Sequence, residues 1–162
     1  MSTPMGMSDP ITALDAEREY GGVHVGHAST RWAAMVMKIL SLDKDTRTLD
    51  ECGHALGMSR ASIKCRCASV GTSAKDTLDF ARLLRVILQC QTQRWNLSEM
   101  LDIVDPRTLS RLLQRAGIDA TSDRAPDARE FLRRQSLVTS RVLLAALTIH
   151  LCGVDGAGRP AD

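Results

Sequence analysis

The sequence predicts an all-α protein, a multi-helix bundle containing two helix-turn-helix motifs joined by a long linker helix. Three observations carry this. Apolar residues recur at three- and four-residue spacing in stretch after stretch, with few period-two alternations and no β-branched runs. Aromatic residues are scarce (2 Trp, 2 Phe, 1 Tyr), so Leu, Val, Ile, Met and Ala must fill the interior, which suits packed helices. Residues that start and stop helices stand where the apolar stripes begin and end.

The chain has 162 residues, enough for one domain. Residues 1–28 are rich in Gly, Pro, Ser, Thr and Met and read as a flexible N-terminal lead. Residues 29–151 read as a single helical domain, and residues 152–162, "CGVDGAGRPAD", as a disordered tail. From Arg31, Trp32, Met35, Val36, Ile39 and Leu40 fall on one helical face, which "SLDKDTRT" ends. Thr48 with Glu51 forms a capping-box pattern at the start of a helix over Leu49–Leu56, and Gly57 ends it. Ser59 can cap a third helix reaching about Cys67. A long helix is expected from Lys75 to about Gln91, broken by "QTQRWN". Leu97, Met100, Leu101 and Val104 form a further stripe. Asp105 caps the next helix with Pro106 at its first position, and Gly117 ends it. After the loop "DATSDRAPD", helices are expected over about Pro126–Arg134 and Thr139–Leu151.

The stretch "ECGHALGMSRASIKCRCASVG" holds three of the five cysteines and one of the four histidines. Zinc would need Cys52, His54, Cys65 and Cys67 to converge in a tetrahedron. Both close pairs are two residues apart within helical patterns, and such residues point about 200° apart around a helix. His24 and His27, three apart, have no Cys or carboxylate support nearby. The expectation is therefore no metal and no cofactor. A helix-turn-helix motif near residues 48–67 accounts for more of these residues. Gly53 lets the second helix approach the first, and Gly57 takes the positive φ that the turn needs. Ile63 points to the core, Leu49, Cys52 and Leu56 form the inner stripe, and Cys52 and Cys67 act as buried apolar fillers. His54 lies outside and Cys65 towards the exposed side. Arg66 stands where such motifs place an apolar residue, so either Cys67 does that packing or the second helix is short.

"WNLSEMLDIVDPRTLSRLLQRAGI", from Trp95 to Ile118, repeats the theme, with a second motif near residues 97–116. Two such motifs joined by "DTLDFARLLRVILQ" resemble the DNA-binding domain of AraC/XylS-type transcriptional regulators over about residues 48–118. In the second motif Ile103 or Val104 stands at the turn-glycine position. The segment from Trp32 and the helices after Pro126 have no counterpart in that domain. The resemblance implies a bacterial-type transcriptional regulator that binds double-stranded DNA sequence-specifically.

In a helix-turn-helix the second helix enters the major groove, and its N-terminal residues meet base edges. The first motif then nominates Arg60, Ala61, Ser62, Lys64 and Arg66. Arg60 or Lys64 is suited to guanine O6/N7, and Ser62 is a versatile partner. The second motif nominates Arg107, Thr108, Ser110, Arg111 and Gln114, with Arg107 and Arg111 sharing a face. Arg115 and Lys75 read as phosphate contacts, which position without specifying. For every charged residue the plain alternative is a solvated helix face.

The net charge is only +2, but residues 47–118 carry eleven Lys/Arg against seven Asp/Glu, the whole of the positive excess. No Gly-rich phosphate loop, nucleophile elbow or HExxH is present, so an enzyme is not expected. Cys65, between Lys64 and Arg66, would suit redox sensing more than turnover. The alternative function is a helical protein–protein interaction or adaptor module in signalling, which keeps the helix-turn-helix shape without binding DNA. A homodimer on a two-half-site operator is the expected assembly, with the faces of Trp32–Leu40 and Val142–Leu151 as candidate contact surfaces, the plain alternative being that both are core. A sensor or signalling partner would be a separate protein. No signal-peptide core and no apolar span of membrane length are seen, so the expected location is the cytoplasm, with reduced cysteines and no membrane contact.

Overall fold

The computed structural model describes residues 24–90, 100–101, 103, 105–119 and 126–155. The expected lead up to residue 23, the break at 91–96, most of the Leu97–Val104 stripe and the tail from 156 lie outside them. Among the described residues there are seven helices and no strand. They are α1 (His27–Leu40), α2 (Leu49–Leu56), α3 (Arg60–Ala68), α4 (Ala74–Cys90), α5 (Pro106–Ala116), α6 (Ala128–Arg134) and α7 (Arg141–Asp155). The protein is an all-α multi-helix bundle.

One apolar core runs through the bundle. Helix α4 is its axis, with Leu78, Phe80, Ala81, Leu83, Leu84, Val86 and Ile87 all buried. It is therefore covered on most sides, by α1, α2, α3 and α6. At the centre the Trp32 indole N–H donates to the Thr77 hydroxyl at 3.1 Å, which satisfies the one polar atom of a fully buried ring. Phe80 lies between Trp32 and Phe131, with ring centroids 6.2 Å and 5.7 Å away. The aromatics among the described residues, Trp32, Phe80 and Phe131, thus gather where α1, α4 and α6 meet.

Three expectations change. Residues 152–155, read as the start of a disordered tail, continue the last helix. Helix α1 begins at His27, inside the stretch read as lead, because Gly26 starts the helix and its carbonyl accepts from the Thr30 N–H and hydroxyl. The faces proposed as dimer contacts are mostly core, with Ile149 of α7 left exposed. Trp32, Met35, Val36 and Ile39 of α1 pack against α7, where Leu143, Leu144 and Leu147 are buried. Each apolar stripe found the other within the same chain, so their buried residues are not available to a second copy without opening the bundle.

Between α6 and α7 a buried side chain does what a regular element would do. Gln135 Oε1 accepts from the N–H groups of Leu137 and Val138, and its amide donates to the Val138 carbonyl. This pins the turn that sends α7 back along α1. No helix among the described residues is long and apolar enough to cross a membrane.

Candidate nucleic-acid interface

Helices α2 and α3 are built as a unit from their caps. The Thr48 hydroxyl accepts from the Glu51 N–H at 3.1 Å, while Glu51 Oε2 accepts from the N–H groups of Arg47 and Thr48. These bonds hold the Glu51 carboxyl below its ordinary range. Gly57 ends α2 with φ 64°, and the Met58 N–H folds back onto the Gly53 carbonyl at 2.8 Å. Ser59 then starts α3, its hydroxyl accepting from the Ser62 N–H. Cys52, Ile63 and Cys67 point inward and are buried. Helix α3 runs to Ala68, and Cys67, not Arg66, fills its last inward position.

What remains outside on α3 is Arg60, Ala61, Ser62, Lys64, Cys65 and Ala68, with Arg66 half-buried. Arg60 approaches Asp50 of α2 at 3.4 Å, both well exposed, a pairing too weak to withhold Arg60 from a partner. The Ser62 and Ser59 hydroxyls share a hydrogen bond at 2.9 Å.

Helix α5 is capped as its sequence indicates. Asp105 accepts from the N–H groups of Arg107 and Thr108 and from the Thr108 hydroxyl, and Gly117 ends the helix with φ 71°. The Thr108 hydroxyl, then the Arg107 N–H, keep the Asp105 carboxyl below its ordinary range. The buried residues, Leu112, Leu113 and Ala116, all lie in the C-terminal half. Leu109 is half-buried against the core, and Arg107, Thr108, Ser110, Arg111 and Gln114 are exposed, so the helix is seated along one side and presents the other. Lys64, Arg66, Arg107 and Arg111 have no ion-pair partner among the described residues. Before this helix, Met100 is helical and Leu101 is fully buried. The rest of the second motif's first helix lies mainly outside the described residues.

The two cations expected on phosphate are brought together on a carboxylate. Asp79 Oδ2 accepts from Lys75 Nζ at 3.3 Å and from Arg115 Nη1 at 2.8 Å, so the two cations stand no more than 6.1 Å apart (3.3 plus 2.8). Arg115 also pairs with Asp76, which the Ser73 hydroxyl holds at 2.6 Å. Burial works to lower the Arg115 pKa, and Asp79 and Asp76 outweigh it and raise it. Deeper in, Arg82 is 6% exposed; its Nε and Nη2 bind Asp45, Nη2 also donates to the Leu101 carbonyl, and Nη1 lies 3.8 Å from Asp79. Sequence reasoning missed Asp45, Asp79 and Arg82. For Asp79 and Arg82 the signal was their i, i+3 spacing in the mostly apolar run "LDFARLLRVIL", whose other charge is Arg85; Asp45 had none.

No family model, curated protein or solved structure matches this chain.

The geometry alone therefore speaks for the site. Helices α3 and α5 each bury an apolar side, each carry three Lys/Arg residues, and neither contains a carboxylate. Among the described residues no group of three or more His, Cys, Asp or Glu is placed to hold a metal ion. Cys52 and Cys67 face the core, whereas His54 and Cys65 face outward. Burial pushes the Cys52 and Cys67 thiols up, against the side chains of Thr46 and Thr77.

Proposed function

We propose that the chain is a sequence-specific DNA-binding transcriptional regulator of AraC/XylS-like, bacterial type, with α3 and α5 as its reading helices. The observation that supports this most is the outer surface of those two helices. Each has a capped start, a buried apolar side, and an outer face free of carboxylates, with Arg, Lys and Ser on α3 and Arg, Thr, Ser and Gln on α5. That composition suits phosphate oxygens and the acceptor-rich edges of guanine in the major groove. Arg60, Ser62, Lys64 and Arg66 would read from α3, and Arg107, Thr108, Ser110, Arg111 and Gln114 from α5. Lys75 and Arg115 would reach phosphate only by leaving Asp79. A homodimer on a two-half-site operator would need a contact surface other than the faces of α1 and α7.

Fluorescence anisotropy against a pool of genomic fragments, at low and near-physiological salt, tests the reading. The expected result is enrichment of particular sequences, with affinity falling as salt rises in proportion to the phosphates contacted. Weak binding that ignores sequence, or none at low salt, rejects it. The second reading, a helical adaptor, is favoured by the pairing of Lys75 and Arg115 with Asp79 and Asp76, which neutralises cations that a phosphate backbone would use.

A further inference from the structure

We infer that Arg82 is a positioning residue that fixes the two candidate reading helices relative to one another, through the chain Asp45–Arg82–Asp79–Arg115, largely buried at its first three members and partly exposed at Arg115. One guanidinium holds the approaches to both motifs. Asp45 lies in the connection entering α2, three residues before the Thr48 cap, and is bound at 3.0 Å by Nε and 2.6 Å by Nη2. The Leu101 carbonyl, four residues before the Asp105 cap of α5, accepts from the same Nη2 at 2.9 Å. One turn back on α4, Asp79, 9% exposed, lies 3.8 Å from Arg82 Nη1, an ion pair without a hydrogen bond, and its other oxygen accepts from Arg115 in the last turn of α5. On the other side of that turn the Ser136 hydroxyl donates to the Arg115 carbonyl.

Apolar contacts are non-directional, and α5 contributes Leu112, Leu113 and Ala116 to the buried core, with Leu109 half-buried against it. Such contacts hold a short helix down without fixing its slide or tilt. A guanidinium offers donors in a rigid planar fork, so it fixes both distance and direction, which a lysine ammonium does not. Burying these charges is a costly way to gain stability, and a buried polar network is best attested as a device for selecting one arrangement. Here the arrangement selected is the spacing of α3 from α5. The consequence for DNA rests on the function proposed above. The spacing itself does not.

The test measures that spacing directly. Nitroxide labels go on Cys65, exposed on α3, and on Ser110→Cys on α5, with Cys152→Ser removing the half-buried thiol. Pulsed dipolar spectroscopy on the full chain should give one narrow distance distribution. Arg82→Gln and Arg82→Lys should both broaden it, whereas Arg85→Lys, the neighbour that binds the Asp43 carbonyl, should leave it narrow. If the Arg82 variants do not fold, Arg115→Gln cuts the far end of the chain at a partly exposed residue and should broaden the distribution too. Folded Arg82 variants, or a folded Arg115→Gln, with the parent distribution would overturn the inference. So would full rescue by Arg82→Lys, since the fork would then be irrelevant. A second arm uses the DNA sequence that the parent selects, with the spacer between its two contacted segments changed by about 5 base pairs, half a helical turn. The parent should reject the altered spacer, and the Arg82 or Arg115 variant should lose that preference. If the parent binds no DNA, the functional reading fails, and the distance measurement alone decides the role of Arg82.

Discussion

Gly53 and Met58 are packed so closely that a methyl group on Gly53 would stand 2.5 Å from the Met58 carbonyl oxygen. The obstacle is backbone and cannot swing aside. Gly53→Ala must therefore push the turn off α2, and it should destabilise the fold by about 1–3 kcal/mol, the range for overpacking a tight site. Gly57 is the opposite case: nothing lies near its missing side chain, but its φ is 64°. Gly57→Ala should lose about 1–2 kcal/mol from the left-handed backbone alone, and Gly57→Asn less. Urea denaturation of the three variants separates the steric effect from the conformational one.

Buried and exposed ion pairs should answer differently to truncation. Asp45→Ala strands Arg82 in the interior and should destabilise by about 3–5 kcal/mol. Asp50→Ala removes the partner of Arg60 on the surface and should leave the melting temperature within error. Equal losses in thermal melts would mean that Asp45 is more hydrated than its 10% exposure indicates.

Burial raises the thiol pKa of Cys52, Cys67 and Cys90 in the folded chain. The unfolded chain therefore releases these protons first. The stabilising contribution is complete below the ordinary thiol value of about 8.5 and declines as pH rises past it. The urea midpoint should fall on the alkaline side, and less steeply in Cys52→Ala than in the parent. In native protein a thiol reagent should modify Cys65 promptly and the three buried cysteines only on unfolding.

Specific and non-specific DNA should distinguish the nominated cations. Arg107→Ala should weaken the selected sequence by about 1–3 kcal/mol and random DNA much less, as loss of a base-edge contact does. Arg60→Ala should carry the larger loss if α5 only braces α3. Lys75→Ala should weaken both kinds of DNA and lower the salt slope by about one unit. An unchanged slope would assign Lys75 to Asp79 in the bound state as in the free one.

Much of this was legible because it is local. The bounds of α2 and α5 follow from Thr48, Gly57, Asp105, Pro106 and Gly117, each a side chain or backbone preference acting within a turn of itself. Helix α7 runs to Asp155, past the expected end at Leu151, because an apolar stripe marks the interior of a helix better than its end. What could not be read was which surfaces meet. The stripes of α1 and α7 were correct as stripes, yet nothing local says whether a stripe covers its own chain or a neighbour. Arg82 finds Asp45 37 residues away, and Arg115 finds Asp79 36 residues away, and such pairings exist only once the bundle has closed. Of the candidate site, the exposed positions on α3 and α5 were readable from helical phase. The neutralising partners of Lys75 and Arg115 were only half so, since Asp79 lies one turn from Lys75 but on another helix from Arg115.

The Asp45–Arg82 pair also limits how this sequence can drift through descent. Losing either member first leaves a lone charge in the interior, whereas exchanging both for well-packed apolar residues is often neutral or better. The two positions should therefore be inherited as a linked pair, changing together or not at all. Asp79 should be less free still, since Lys75, Arg82 and Arg115 all lean on it. Arg60 and Asp50, joined only across solvent, can wander separately. In a set of descendants, the pairs that have stayed matched would mark the joint between the two halves of the molecule.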